Sequence, residues 1–283
     1  MMKTYYMLTK PGIIMGNIVT TAAGFALASQ GHFDITLFLF TLIGLGFIIA
    51  SAGVFNNYID RHMDAKMERT KNRAIPSGLV SHQNALIYAS VLCVIGVGVL
   101  SYTNLLTVGV ALAGFFVYLV LYAFMKYRSF YGTLIGSIAG AVPPVVGYCA
   151  VSDRLDLAAL LLFLIVVLWQ MPHFFAIAIY RIDDYAAASI PVLPIEKGIY
   201  ITKIHMLLYI IVFMMTALLL TVAGYTGYIY AFAVFGLSLG WLGFCLSGFT
   251  VQNDKRWARQ MFVYSLVVIM GLCVAIPFDI NGS

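Results

Sequence analysis

The sequence predicts an all-α, polytopic membrane protein with nine spanning helices, and three observations predict it. Of 283 residues, 62% are hydrophobic and only 10% charged, with a mean hydropathy of +0.97; a water-facing domain of this size would need far more charge. The apolar residues fall into nine runs of about the 20 residues needed to cross a bilayer: 11–29, 35–59, 83–102, 104–124, 132–151, 155–180, 203–223, 226–249 and 259–278. With the N-terminus inside, fifteen of the sixteen Lys and Arg residues lie on one side, leaving only Arg154 outside. Basic residues are retained on the cytoplasmic side of bilayers, so this bias supports both the number of spans and their orientation, in the bacterial case across the cytoplasmic (inner) membrane. It also explains the net charge of +5 without an acidic partner, and no nucleic acid is expected.

Taken in order, the start from Met1 to Lys10 has no small-residue cleavage site, and the run after Pro11 is long enough to span, so no removable leader is expected. The second run carries no charge from Ile35 to Ile59 and then delivers Asp60, Asp64 and Glu68 at spacings of four. On a continuous helix these share one face with Asn56, each step rising about 6 Å. Such a set at a membrane edge, with Arg69, Lys71 and Arg73 just beyond, suits a divalent cation carrying a diphosphate. Mg²⁺ takes one or two carboxylates together with phosphate oxygens and water. The alternative is a solvated loop whose charges merely pair along the chain.

The third and fourth spans have a short outer connection, and the fourth is rich in aromatics (Phe115, Phe116, Tyr118, Tyr122, Phe124), which suit either helix packing or a prenyl tunnel. The fifth is glycine-rich from Gly132 to Gly147, allowing close packing, and Pro143-Pro144 predicts a kink. The sixth contains Trp169-Gln170-Met171-Pro172-His173, where Pro172 is expected to disturb the helix. His173 is open to three readings there: a ligand of haem iron, a hydrogen-bonding partner of substrate, or a donor to the carbonyl freed by the proline. That span ends in Arg181, Asp183, Asp184 and Tyr185, again acids beside a base, or else a solvated helix stop. The two long loops, about 60–82 and 181–202, are both cytoplasmic, so chemistry is expected on that face. Cys93, Cys149, Cys245 and Cys273 sit singly in apolar runs and read as core residues. No linker divides the chain, and residues 1–283 are expected to form a single integral-membrane domain.

Asn-x-x-x-Asp-x-x-x-Asp at the end of the second span, followed by Glu68-Arg69-Thr70-Lys71-Asn72-Arg73, resembles the first motif of the UbiA-type intramembrane prenyltransferases. Tyr-Gly-Thr at 131–133, Gly-Ala-x-Pro-Pro at 140–144, Trp-Gln-Met-Pro-His at 169–173 and Arg-x-x-Asp-Tyr with Ile-Pro-Val-Leu-Pro narrow the likeness to the haem O synthase branch. Residue 188 is Ala, so the second Asp-x-x-x-Asp of many members is absent. The resemblance implies nine helices around a central cavity capped by both loops. It implies farnesyl transfer from farnesyl diphosphate to a vinyl group of protohaem IX (haem B), giving haem O, with Mg²⁺ as cofactor and haem as substrate. It further implies hand-over of the product to a haem-copper oxidase or a haem A synthase. On that basis Asp60, Asp64 and Asn56 would hold Mg²⁺, while Arg69, Lys71 and Arg73 would grip diphosphate or propionates. Lys126, Arg128, Arg181, Asp184 and Tyr185 would bind substrate, and His173 would contact haem. A sister enzyme acting on an aromatic acid or chlorin is the nearest alternative, and a small-solute transporter a more distant one; a CDP-alcohol phosphotransferase would need Asp-Gly and Ala-Arg pairs that are missing.

Overall fold

A computed structural model describes residues 2–279, and these form helices and turns, with no strand among the described residues. Nine helices in this region are long and apolar enough to cross a membrane. They are α1 (Pro11–Ser29), α2 (Ile35–Ile59), α3 (His82–Leu100), α4 (Leu105–Met125), α5 (Gly132–Ser152), α6 (Leu157–Tyr180), α7 (Ile199–Val222), α8 (Tyr228–Ser247) and α9 (Asp254–Phe278). A short helix, Met2–Leu8, precedes them.

Most starts are set by caps that the sequence supplies. Asp34, Ser81, Asn104, Asp156 and Asn253 each accept backbone N–H groups of the first turn through their side chains, filling donors that a helix start leaves open. Two helices begin earlier than their apolar runs suggest. Asn253 starts α9 five residues upstream of the expected 259, and Gly198, at φ 84°, releases α7 four residues before 203. Lys203, one turn into α7, is accommodated: it is buried and donates to the Gly248 carbonyl at 2.6 Å and to Asp254 at 2.5 Å.

The expected kink in the fifth span is present. Helix Gly132–Gly140 stops at Ala141 (φ −93°, ψ −5°), and Val142–Ser152 restarts with the prolines in its first turn, where their missing N–H groups cost nothing. Pro172 has no such effect, because α6 runs unbroken through it. In α4, residues Val117–Tyr122 widen into a π-helical turn. This places Tyr118 and Tyr122 in a stack, with centroids 5.4 Å apart.

Small residues set the helix contacts. A Cβ at Gly24 of α1 would run into the Pro144 carbonyl of α5, and one at Gly147 of α5 into the Thr21 carbonyl of α1. The two backbones therefore touch reciprocally. α2 and α3 use the same device, with Gly44 against Leu100 and Gly96 against Ile48. α6 lies against α5, α7 and α9, and α9 returns to α1. Gly147→Ala should gain up to about 1 kcal/mol of helix propensity but force α1 from α5, for a net loss of roughly 1–3 kcal/mol. Gly109→Ala, where nothing lies within 4 Å of the new methyl, should be neutral or stabilising. Thermal unfolding in detergent compares the two.

Candidate active site

The site begins where α2 stops. Asp60 caps α2 at φ −78°, ψ −5°, a single turn Arg61–Asp64 follows, and although the helix breaks at this joint, two backbone bonds bridge it. The Asp60 N–H reaches the Asn56 carbonyl at 2.8 Å, and the Asp64 N–H reaches the Asp60 carbonyl at 2.8 Å. Asn56, Asp60 and Asp64 are therefore stacked on successive turns, as their spacing predicts, and all three are buried.

Glu68 departs from that expectation. It is exposed and pairs with Lys71 at 2.7 Å instead of continuing the acidic face. The reason is the return path of the loop. On a continuous helix Arg73 would stand about 13 Å beyond Asp64, whereas the turns after Ala65 bring its Nη1 to 2.8 Å from Asp64 Oδ2. Thr70 fixes the fold-back by donating its hydroxyl to the Asp64 carbonyl at 2.9 Å.

Four side-chain oxygens of the ladder meet a donor, Asp64 Oδ2 through Arg73 as above. Lys10 Nζ donates to Asn56 Oδ1. Lys126 Nζ donates to Asp60 Oδ2 at 2.6 Å, and the Tyr127 hydroxyl donates to Asp60 Oδ1. Burial opposes the charge on Asp60, but Lys126, by its charge and its hydrogen bond, and Tyr127 hold the carboxyl below its ordinary value. Lys126 is likewise disfavoured by burial, yet its surroundings, Tyr122 and Asp60 foremost, raise it above the usual lysine range. Lys10 has the opposite balance: burial, then the nearby Arg73 charge, bring it down to about 7.

Lys10 and Tyr127 were not expected here from the sequence. A lysine before the proline that opens a span reads as an interface cation, and no spacing ties it to a residue 46 positions later. The backbone is what carries it there. Lys10 adopts a left-handed conformation (φ 56°), uncommon for a residue with a side chain. Asn57 Nδ2 holds the Leu8 carbonyl at 2.9 Å, and Gly53 lets the Thr9 carbonyl approach α2 where a Cβ would lie only 2.9 Å from it.

The second loop does meet the first. Met67 is buried with Ala178, Ala188, Ile190 and Val192, and Tyr127 and Tyr185 pack against them. One apolar cluster thus joins both long loops to the short 126–131 connection beside Asp60. Burial raises the Tyr185 phenol above its ordinary value. Of the two neighbouring acids, Asp183 is exposed and pairs with Lys255, whereas Asp184 is mostly covered, with Arg181 3.9 Å away and over the Tyr180 ring.

Three expected residues are not drawn into this cluster. Arg69 is exposed, Lys71 is held by Glu68, and Arg128 lies 3.5 Å over the outward Phe124 ring. His173 sits about 10 Å down α6 from Tyr180, at 1.5 Å per residue. Its Nδ1 is 2.7 Å from Ser265 Oγ, so this nitrogen does not cap the carbonyl that Pro172 frees. Among the described residues no three His, Cys, Asp or Glu side chains converge as a metal cluster. The ladder instead offers two carboxylates and one amide oxygen, which matches the donor set of an ion that completes its shell with phosphate and water. The four cysteines are free, three of them buried and Cys93 half-buried.

A sequence model of the UbiA prenyltransferase family matches residues 17–267. The chain belongs to that family. Among curated relatives, a protoheme IX farnesyltransferase of Protochlamydia amoebophila is 54% identical over 281 residues, covering 99% of both chains. Another of that name, from Sodalis glossinidius, is 52% identical over 99% of this chain and 95% of its own. Solved structures show the same UbiA fold at low identity. A digeranylgeranylglyceryl phosphate synthase superposes with a TM-score of 0.80 at 18% identity, covering 98% of this chain and 97% of its own. A UbiA homologue from Archaeoglobus fulgidus bound to GPP and Mg²⁺ gives 0.73 at 12% identity, covering 97% and 99%.

Proposed function

We propose that this chain transfers the farnesyl group of farnesyl diphosphate to a vinyl group of protohaem IX, releasing diphosphate and giving haem O. The likeness at 54% identity over essentially the whole length of a protoheme IX farnesyltransferase carries the choice of acceptor. The buried ladder carries the chemistry. Asp60, Asp64 and the Asn56 amide oxygen would hold Mg²⁺, the ion bound with GPP in the Archaeoglobus homologue. When bound, such an ion neutralises charge building on a departing diphosphate.

The chain's own residues do the rest. Lys126 and Arg73 already stand at the ladder and supply the fixed cations that stabilise diphosphate as the allylic C–O bond breaks, with Lys10 beside them as a further N–H donor. The bond's electron pair leaves with the diphosphate. The vinyl π electrons form the new bond to the farnesyl carbon, and the cation left beside the porphyrin takes a water oxygen and loses a proton. Tyr122, beside Lys126 and against Gly136, and Tyr118 stacked on it would line a central cavity and keep bulk water from the allylic cation. Exposed Arg69 and half-buried Arg181, with Lys71 and Arg128 at the rim, would draw in diphosphate or haem propionates.

We place the protein as one domain in a bacterial cytoplasmic membrane, with the ladder facing the cytoplasm and the C-terminus outside, passing its product to a haem-copper oxidase or a haem A synthase. Reporter fusions after Ser81 and Lys197 should both register cytoplasm; either one outside would reverse this topology. The activity is tested by diphosphate release from farnesyl diphosphate and Mg²⁺ by the purified protein. Release should depend on added haem B, and release with an aromatic acid but not with haem B would assign a sister activity.

A further inference from the structure

The Ser265 hydroxyl has one proton to give. Its oxygen lies 2.6 Å from the Phe262 carbonyl oxygen, a separation that two oxygens tolerate only with a hydrogen between them. That proton is therefore committed to Phe262. The same hydroxyl lies 2.7 Å from His173 Nδ1 and can only accept there, so Nδ1 carries the hydrogen. In a neutral imidazole this leaves Nε2 as a bare lone pair. Nε2 makes no hydrogen bond among the described residues, and the residue keeps 9% of its surface open.

The ring is also fixed in plane. It stacks on Trp169 (4.8 Å, 26°) and lies against Phe262 (4.9 Å, 37°). Trp169, one turn before His173, donates its indole N–H to the Ser265 carbonyl at 2.7 Å. One residue of α9 thus anchors two aromatic side chains of α6, and Ser265 itself is fully buried.

We infer that Ser265 is a positioning residue which holds His173 in the Nδ1–H tautomer, so that Nε2 is presented as an axial ligand to the iron of the haem substrate. A ligating histidine that donates its other ring N–H to an outer partner is more basic and better oriented than a free one. The inference rests on haem being the acceptor.

The test uses the full chain in lipid nanodiscs. With nitrogen-15 histidine, the His173 signals, assigned by their absence in His173→Gln, should show a protonated Nδ1 and a bare Nε2 without any haem. The reverse tautomer in the wild type overturns the inference with no variant needed. Ser265→Ala should lose this preference, weaken ferric haem B binding about tenfold, as loss of an outer partner of a ligand does, and alter the Soret band. It should raise KM for haem and leave KM for farnesyl diphosphate unchanged. Ser265→Thr, which keeps the hydroxyl, should restore the wild-type spectrum. Farnesyl transfer with identical haem spectra for the wild type and Ser265→Ala would overturn the role of Ser265 and leave the activity standing. A His173-dependent haem spectrum without farnesyl transfer would do the opposite.

Discussion

Asp60→Asn and Asp64→Asn should each lower turnover roughly a thousandfold, a loss of about 4 kcal/mol of transition-state stabilisation, while the protein still inserts and folds. Asparagine keeps the shape and one oxygen but removes the charge that would hold Mg²⁺ against diphosphate. The two variants should differ in kind. Asp64 is paired with Arg73, which is partly exposed, so Asp64→Asn frees a guanidinium that water can reach. Asp60 faces Lys126, which is nearly enclosed, so Asp60→Asn leaves a buried ammonium with less compensation and should cost more stability. Raising Mg²⁺ should recover part of the lost rate, since weakened coordination is offset by mass action. Near-wild-type turnover for both variants would remove the metal clamp.

Lys126→Met should be more damaging to the fold than either. It leaves the Asp60 carboxylate buried with Tyr127 and Lys10 as its remaining support, and breaking such a pair from one side costs about 3–5 kcal/mol. The double variant Asp60→Asn, Lys126→Met removes both charges and should unfold at a higher temperature than Lys126→Met alone, although it is inactive. A thermal double-mutant cycle reads this coupling directly. If the four temperatures are simply additive, Lys126 and Asp60 do not support each other.

The spans and the ladder were legible because each has a simple period. Apolar runs of bilayer length and one-sided basic residues locate nine helices, and Asn56, Asp60 and Asp64 keep helical spacing even across the joint at Asp60. Glu68 kept the same spacing and was misplaced by it, because a return of the loop to pair Arg73 with Asp64 has no period to read. Lys10 and Tyr127 were missed for a related reason: their partners are 46 and 67 positions away, and it is the left-handed turn at Lys10, the Asn57–Leu8 hydrogen bond and the close backbone approach at Gly53 that bring Lys10 in. Pro172 shows the limit of a local rule, since a proline that should break a helix is held within one packed on three sides by α5, α7 and α9. His173 was noticed as a polar group in an apolar span, but its tautomer depends on Ser265, 92 positions later.

The most direct measurement is the mass of the pigment after the purified protein is incubated with protohaem IX, farnesyl diphosphate and Mg²⁺. Haem carrying one farnesyl group and one water-derived hydroxyl, formed by the wild type and absent with Asp60→Asn, is the expected result. Unmodified haem from an intact, folded wild-type protein, alongside prenylation of an aromatic acid under the same conditions, would contradict it.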